Sequence, residues 1–419
     1  MNLYRVSLMT LFVMAFGLFA ADTAFAQRSS VPANVKKNAR AEEIRERRER
    51  ERNEKFRKTL TPAKIKAQQE GKTVVLPLIK RDLSPSMAEL MRLEKPLKSE
   101  NDKRFENNVE EVFEFPGEAP ISLGSLVDSF LQREVLAPTA LVAGASFEGP
   151  GQGIAGYTVT TAPPDTTMAV GPNHVVAWVN SRYMIFNKAG VPQLPAPGFV
   201  NGNLIWAGFG GVCQTTNRGD PLISYDRTAD RWVFSQFAFN STSAAPFRQC
   251  FAISTGSDPA GPYHRYEYSF DTAGSGGTPV FNDYGKIGVW NDGYYVGYNM
   301  FSTAGPNVGA GLCVYERDAM LTGAAADGLC APVTFYANGA SLFPADNDGA
   351  LPPTDTTRGG WFVRQNNSGV GASLRVVRLL PNYATDTVTV TDSREIGQTS
   401  NLRPLAVRNR SGFRETLSR

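Results

Sequence analysis

The pattern of apolar and polar residues changes character at about Leu136. From there onward, short apolar runs rich in aromatics alternate with Gly, Pro, Asn and Asp at regular spacing, which predicts β-strands joined by tight turns. Asp230-Arg231 and Asp292-Gly293 have the composition of hairpin turns. The runs Trp232-Val233-Phe234 and Tyr294-Tyr295-Val296 are apolar at every position, so they predict strands covered on both faces of their sheets.

Segments with a common plan repeat along this part of the chain. Three of them open with Asp165, Asp220 and Asp283, and a weaker fourth opens with Asp355, at steps of 55, 63 and 72 residues. Repeats of this size built from antiparallel strands are typical of β-propellers, in which blades cover one another around an axis. A two-sheet sandwich is the alternative, but it buries one face per sheet and requires no repeat. We therefore predict an all-β fold, a β-propeller of about four to five large blades over residues 136–419.

Three phrases of the repeats carry a resemblance to a known family: APPDTTMAVGPNHVVAWVN, GFGGVCQTTNRGDPLISYDRTADRWVFSQFAF and NDYGKIGVWNDGYYVGYNMF. Together they resemble secreted bacterial β-propeller proteins related to sialidase-like and kelch-like repeats, over about Gly144 to Leu380. The resemblance implies fold and export and no particular activity. It also implies that the ending NLRPLAVRNRSGFRETLSR begins a further blade, so we expect either an interrupted reading frame or closure by pairing with another chain.

The first 26 residues have the plan of a secretory signal peptide. Arg5 precedes an apolar run from Val6 to Ala20, and Ala24-Phe25-Ala26 forms a small-x-small cleavage site. The run is shorter than the roughly 20 residues that cross a bilayer. We predict cleavage after Ala26, a secreted or periplasmic product and no transmembrane anchor after cleavage.

Residues 27–135 have a different composition and are interpreted as a charged leader and linker, partly helical or disordered. Residues 36–58 hold 11 basic and 6 acidic side chains and have no apolar face to bury. A solvated helix or disordered arm is the first interpretation, and a basic arm that binds an anionic surface is the second. The apolar patch from Val74 to Ile79 lies inside this linker.

Composition and cysteine count limit the classes of function. The formal net charge is +3, so no global field favours a nucleic acid partner. An even number of cysteines in an exported protein favours two disulfides, and pairing of sequence neighbours gives Cys213–Cys250 and Cys313–Cys330. Four buried thiols are the alternative. No C-x-x-C pair is present, which disfavours zinc.

The candidate ligand-binding residues are the aspartates that open the four repeats. In a propeller these positions would converge at one mouth of the axial channel, where carboxylates bind a cation or a basic ligand. The alternative is that each aspartate caps a turn or binds backbone amides. The residues are Asp165, Asp220, Asp283 and Asp355.

Other motifs give weaker indications. Asp346 and Asp348 resemble the start of a calcium loop, but later ligands are missing, so a surface turn is the alternative to structural calcium. Ser224–Trp232 resembles the Asp-box turn of sialidase-like propellers, with Thr228 in place of glycine, and that turn is a folding element. His174 and His264 both follow turns, and no spacing selects a catalytic residue.

We therefore predict an exported β-propeller that acts as a binding or interaction module. Its ligand would be a glycan or an envelope or extracellular protein, bound between loops rich in aromatic residues and Asp or Asn. A glycan-active hydrolase or lyase is the alternative, with paired carboxylates as acid and base. A third interpretation is a non-functional remnant of a longer protein. No cofactor is expected other than the candidate calcium, and closure by oligomerisation is an open question.

Overall fold

The computed structural model describes residues 73–93, 144–158, 163–332, 342–347, 359–366 and 373–397. All of them belong to one compact unit that spans Thr59–Arg419. The predicted signal peptide, the charged segment 36–58, Asp348 and Asp355 lie outside the described residues. Within the described ranges, no helix is both long and apolar enough to span a membrane.

Eighteen strands are described, and they form four antiparallel sheets. The first two strands are β1 (Val74–Leu76) and β2 (Leu78–Leu83). The first sheet contains β3 (Thr167–Val170), β4 (His174–Val179), β5 (Arg182–Asn187) and β6 (Phe199–Asn201), in that order. The second sheet contains β7 (Leu222–Asp226), β8 (Arg231–Ser241), β9 (Ala244–Ser254) and β10 (Tyr263–Ser269), with β2 beside β10.

The third and fourth sheets repeat this plan. The third contains β11 (Val280–Trp290), β12 (Gly293–Ser302), β13 (Asn307–Tyr315) and β14 (Gly328–Cys330), with β1 beside β14. The fourth contains β15 (Phe343–Pro344), β16 (Gly360–Asn366), β17 (Ser373–Asn382) and β18 (Thr387–Gly397). The helices are α1 (Met87–Leu93), α2 (Gly211–Thr215) and α3 (Arg317–Thr322), with 3-10 turns at Gly202–Trp206 and Ser275–Gly277.

The interpretation of residues 27–135 as a leader and linker requires a correction at Val74–Leu83. These residues form the outer strands of the second and third sheets, because β2 pairs with β10 and β1 pairs with β14. Their apolar side chains drive the docking: Val75, Leu76 and Leu78 are buried in the cores of the sheets they join.

Successive sheets pack through their first strands. β3 contacts β7, β7 contacts β11, and β11 contacts β15. The runs predicted to be covered on both faces are fully buried, namely Trp232 to Phe234 in the second sheet and Tyr294 to Val296 in the third. The described part of the chain is therefore a mostly β structure of four antiparallel sheets in which the middle two are covered on both sides.

Two disulfides join the pairs that neighbour each other in sequence. Cys213–Cys250 ties α2 to β9 across 37 residues, and Cys313–Cys330 joins the directly paired strands β13 and β14. These are the pairs favoured by the sequence analysis, and no free thiol is left.

Candidate functional site

Asp165 and Asp220 occupy the same backbone position in successive sheets. Each lies two residues before the first strand of its sheet, and each has a positive φ, 39° at Asp165 and 45° at Asp220. Aspartate tolerates this left-handed conformation better than most residues. The third sheet has the same feature at Tyr284, with φ of 35°. A positive φ therefore recurs just before or within the first strand of three consecutive sheets.

A β-bulge in β11 brings Asp283 and Lys286 to the same face of the third sheet. Asp283 pairs with Asn299 and Lys286 pairs with Gly297, so three residue steps on β11 oppose two on β12. Directly paired residues share a face, and Asn299 and Gly297 are two residues apart, so Asp283 and Lys286 also share one. Without the extra residue they would lie on opposite faces.

The three carboxylates act on one ammonium group, that of Lys286. Burial lowers the pKa of Lys286 to about 8, and the charges of Asp220, Asp165 and Asp283 oppose this by raising it. All three aspartates therefore lie within electrostatic range of one half-buried lysine. We call the five residues Asp165, Asp220, Asp283, Tyr284 and Lys286 the carboxylate site.

Tyr284 contributes an aromatic ring to the carboxylate site. The Lys286 Nζ lies 2.9 Å from the centre of that ring, in a cation–π contact. Burial raises the pKa of the Tyr284 hydroxyl, and the carboxylates of Asp165, Asp220 and Asp283 raise it further. The phenol therefore stays protonated and can donate a hydrogen bond over the physiological pH range.

The β4–β5 turn holds Asp165 in place. Asn180, at φ of 44°, donates from Nδ2 to Asp165 Oδ2 at 2.9 Å and to the Pro163 carbonyl at 3.0 Å. Gly219 packs against this amide so closely that a Cβ would lie 2.4 Å from Asn180 Oδ1, and its φ is +90°. Glycine at 219 thus lets the segment leading to Asp220 approach the turn that holds Asp165.

A buried polar chain anchors β11 to the second sheet. Asn282 Nδ2 donates to Gln249 Oε1 at 2.9 Å, and Gln249 Nε2 donates to Ser235 Oγ at 2.7 Å. All three side chains are at most 2% exposed. Because buried amides require partners, this chain fixes the register of β11 against β8 and β9 next to Asp283.

One of the two candidate calcium residues, Asp346, makes structural contacts. Asp346 Oδ1 accepts hydrogen bonds from the amides of Val289 at 2.7 Å and Asn347 at 3.1 Å, which ties the segment after β15 to β11. Its proposed co-ligand Asp348 lies outside the described residues. Among the residues that the structure describes, no three His, Cys, Asp or Glu side chains are grouped closely enough to bind a metal ion.

The Asp-box-like turn connects the second sheet to the third through Asp226. Asp226 is fully buried and accepts from Arg317 Nε at 2.6 Å, from Tyr294 Oη at 3.0 Å and from the Ala229 amide at 3.1 Å. Burial alone would raise the pKa of Asp226, but the Arg317 guanidinium holds it below its ordinary value. The turn of the second sheet is thus ion-paired to α3 of the third.

Neither histidine lies in the carboxylate site. His264 is on β10, where burial lowers its pKa and Arg231 and Arg81 lower it further. His174 begins β4 and is half-buried. His174 is thus the first and His264 the second residue of its strand.

Sequence reasoning selected three members of the site and missed three contributors. Asp165, Asp220 and Asp283 are brought to one lysine, and Asp355 is outside the described residues. Tyr284, Lys286 and Asn180 were not selected. A detectable signal for the first two was the Tyr-Gly pair after Asp283, since glycine beside an aromatic inside a strand pattern indicates a bulge.

Comparisons with known proteins add little to this description. No protein family model matches the chain, and no curated protein matches it in sequence. The crystal structure of endo-1,5-alpha-L-arabinanase from Thermotoga petrophila RKU-1 aligns at 12% identity and a TM-score of 0.25. The alignment covers 55% of this chain and 63% of the arabinanase, so this chain spans less than two thirds of that protein. A likeness at this TM-score carries no argument about the site.

Proposed function

We propose that the protein is an exported β-propeller that binds a neutral, hydroxyl-rich glycan at the carboxylate site. The observation that carries this proposal is that carboxylates from three successive sheets lie within electrostatic range of both Lys286 and Tyr284. All five side chains belong to or directly precede first strands, the strands through which the sheets contact one another.

Three features support the propeller arrangement. The first strands of the four sheets contact one another in chain order, each sheet follows the same meander, and the middle sheets are buried on both faces. Sheets that pack in sequence through their first strands place those strands around a common axis. The carboxylate site would then lie at one mouth of that axis.

The chemistry of the site suits sugar hydroxyls. Carboxylates accept hydrogen bonds from hydroxyl groups, Lys286 donates them, and the Tyr284 ring supplies an apolar surface of the kind that pockets combine with a few polar groups. Asp165, Asp283, Tyr284 and Lys286 are half-buried, so solvent reaches them. Three carboxylates against one ammonium repel acidic glycans, which leaves neutral ones as the favoured class.

Calorimetry of the full-length protein against neutral and acidic oligosaccharides tests this proposal. We expect saturable binding of neutral glycans that falls at least tenfold in Asp220→Asn and in Asp283→Asn. Asp258→Asn, an exposed aspartate on the β9–β10 loop, is the matched control and should bind normally. Absence of binding across the whole glycan panel would overturn the proposal.

The same samples distinguish binding from catalysis. Incubation with chromogenic glycosides should give no turnover if the site only binds. Turnover that disappears in Asp220→Asn or Asp283→Asn, but not in Asp258→Asn, would instead assign a hydrolase in which the carboxylates act as acid and base.

Export is part of the proposal and has its own test. Two disulfides support an oxidising compartment. N-terminal sequencing of the protein recovered from culture medium or periplasm should begin at Gln27. Recovery of the protein only from the cytoplasm, with its N-terminus intact, would contradict export.

A further inference from the structure

Residues 73–93 touch all four sheets in sequence, and we call this segment the strap. Thr73 Oγ1 accepts from the Val388 amide at 3.0 Å in the fourth sheet, β1 pairs with the third sheet and β2 pairs with the second. Helix α1 then packs Met87 and Leu90, both fully buried, into the core of the first sheet. The Tyr183 hydroxyl of that sheet donates to Met87 Sδ at 3.2 Å.

Two charged residues of the strap reach the segment before α2. Asp82 pairs with Arg265, Oδ1 with Nε and Oδ2 with Nη2, both at 2.8 Å. Arg265 is 2% exposed and its Nη1 donates to the carbonyls of Ile205 and Ala207, both at 2.9 Å. Lys80 donates to the carbonyl of Phe209, two residues after Ala207, and its Nζ lies 4.9 Å from the centre of the Phe209 ring.

The segment that the strap holds leads directly into the carboxylate site. At one end the Gly202 amide donates to the Ser181 carbonyl at 2.7 Å, and at the other Asn217 Nδ2 donates to the same carbonyl at 2.8 Å. Ser181 follows Asn180, the residue that holds Asp165. Gly219, two residues after Asn217, is pressed against Asn180 and precedes Asp220.

We propose that the strap is a docked peptide that positions the carboxylate site, with Lys80 and Asp82 as its positioning residues. Lys80 donates to the Phe209 carbonyl, and Asp82 orients Arg265, which donates to the carbonyls of Ile205 and Ala207. This segment fixes Ser181 and Asn217, and those contacts set Asp165 and Asp220 near Lys286. The strap is thus recognised by strand pairing, two apolar anchors and one ion pair whose arginine is buried and whose aspartate is half-buried. This inference goes beyond the proposed function, because it holds whatever ligand the site takes.

The first test asks whether the strap is docked independently of its covalent link. A protease site is inserted into the full-length chain between Leu93 and Gly144, and the purified protein is cut and passed through gel filtration. We expect the strap fragment to co-elute with the rest of the chain and to separate only under denaturing conditions. Immediate release from a protein whose melting temperature is unchanged would overturn the proposal.

The second test asks whether the strap sets the site and uses Lys286 as the reporter. The pH dependence of Lys286 acylation is followed by mass spectrometry in Asp82→Asn and Lys80→Met. We expect its apparent pKa to rise from about 8 toward that of an ordinary lysine as burial relaxes. Asp82→Glu should restore the profile, and Glu89→Gln, at an exposed position of α1, should not change it.

This readout separates positioning from stability and from ligand binding. A lower melting temperature in Asp82→Asn with an unchanged Lys286 profile would mean that the ion pair is only structural, and the proposal would fail. Failure of every glycan to bind the wild-type protein would overturn the proposed function and leave the Lys286 profile as an independent result.

Discussion

Lys286 and Tyr284 form a cation–π pair on either side of one glycine, with the ammonium 2.9 Å from the ring centre. Residues two apart on a regular strand point to the same face, but here the bulge and the positive φ of Tyr284 decide their geometry. The positive charge of the pair is the Lys286 ammonium, which lies within electrostatic range of the Asp165, Asp220 and Asp283 carboxylates. Burial still outweighs the carboxylates in setting the pKa of Lys286, so the charge of the site changes near pH 8.

Removing one carboxylate should lower the pKa of Lys286 further. Asp220, Asp165 and Asp283 all raise that pKa, so Asp220→Asn, Asp165→Asn and Asp283→Asn each remove an attraction that favours the charged amine. NMR titration of the ¹³C-methylated lysines measures the shift. Asp258→Asn is the control, and an unchanged Lys286 titration in all three variants would mean that the carboxylates are not near the amine.

The two disulfides should differ in their effect on the site. By loop-closure entropy, Cys213→Ala/Cys250→Ala should lower the free energy of unfolding by about 4 kcal/mol and Cys313→Ala/Cys330→Ala by about 3 kcal/mol. Only the first anchors α2, which leads to Asn217 and Asp220. Denaturant unfolding and glycan binding check this, and we expect binding to weaken in the first variant alone.

Breaking the ion pair between the second and third sheets should be costly. Arg317→Met leaves Asp226 buried without its cation, so we expect a loss of about 3–5 kcal/mol in the free energy of unfolding at pH 7. The folded pKa of Asp226 is lowered, so its stabilising contribution is present above the unfolded pKa and disappears as pH falls through the folded one. Melting temperatures from pH 7 to pH 2 should therefore fall less steeply in Arg317→Met. An equally steep acid profile would contradict this assignment.

Two substitutions of Asn180 separate strain from hydrogen bonding. Both Asn180→Gly and Asn180→Ala remove the donor to Asp165, but only glycine adopts a φ of 44° without strain. We expect Asn180→Ala to be less stable than Asn180→Gly by about 1 kcal/mol. Glycan binding should weaken equally in both, because both leave Asp165 without its amide partner. Unequal binding would show that backbone strain, and not the hydrogen bond, orients Asp165.

The parts of the structure that could be predicted from sequence are those with local signals. The alternation of apolar runs with turn residues predicted the strands, and runs apolar at every position predicted burial on both faces. The recurring aspartates drew attention to three residues that act electrostatically on one lysine, and their role as a ligand site stays a prediction. Lys286 was missed because strand periodicity places it opposite Asp283, and only the bulge reverses that parity. The one extra residue of the β11 bulge therefore places Lys286 on the same face as Asp283.

The strap was missed for a different reason. Leu78–Leu83 pairs with Tyr263–Ser269, and Val74–Leu76 pairs with Gly328–Cys330, across sequence separations that local patterning does not reveal. Six residues with an alternating burial pattern are too short to be distinguished from a linker with apolar residues. No local signal marks Asp82 and Lys80, because their partners are an arginine and a carbonyl far along the chain.

Lys286→Met should stabilise the protein at neutral pH while weakening ligand binding. Burial places the folded pKa of Lys286 at about 8, below the ordinary value of 10.5, so the charged amine destabilises the folded state at pH 7. Removing it should raise the free energy of unfolding by about 3 kcal/mol at pH 7. The gain in stability should shrink as pH rises from 8 and vanish above 10.5, where the amine is neutral in both states.

Urea unfolding at pH 7, 9 and 10.5 measures this gain, with Lys188→Met on the exposed β5–β6 connection as the control. A residue retained at a cost in stability is one that a binding site requires, so stabilisation supports a binding role for Lys286. A destabilised Lys286→Met at pH 7 would instead mean that the lysine is a structural ion-pair partner.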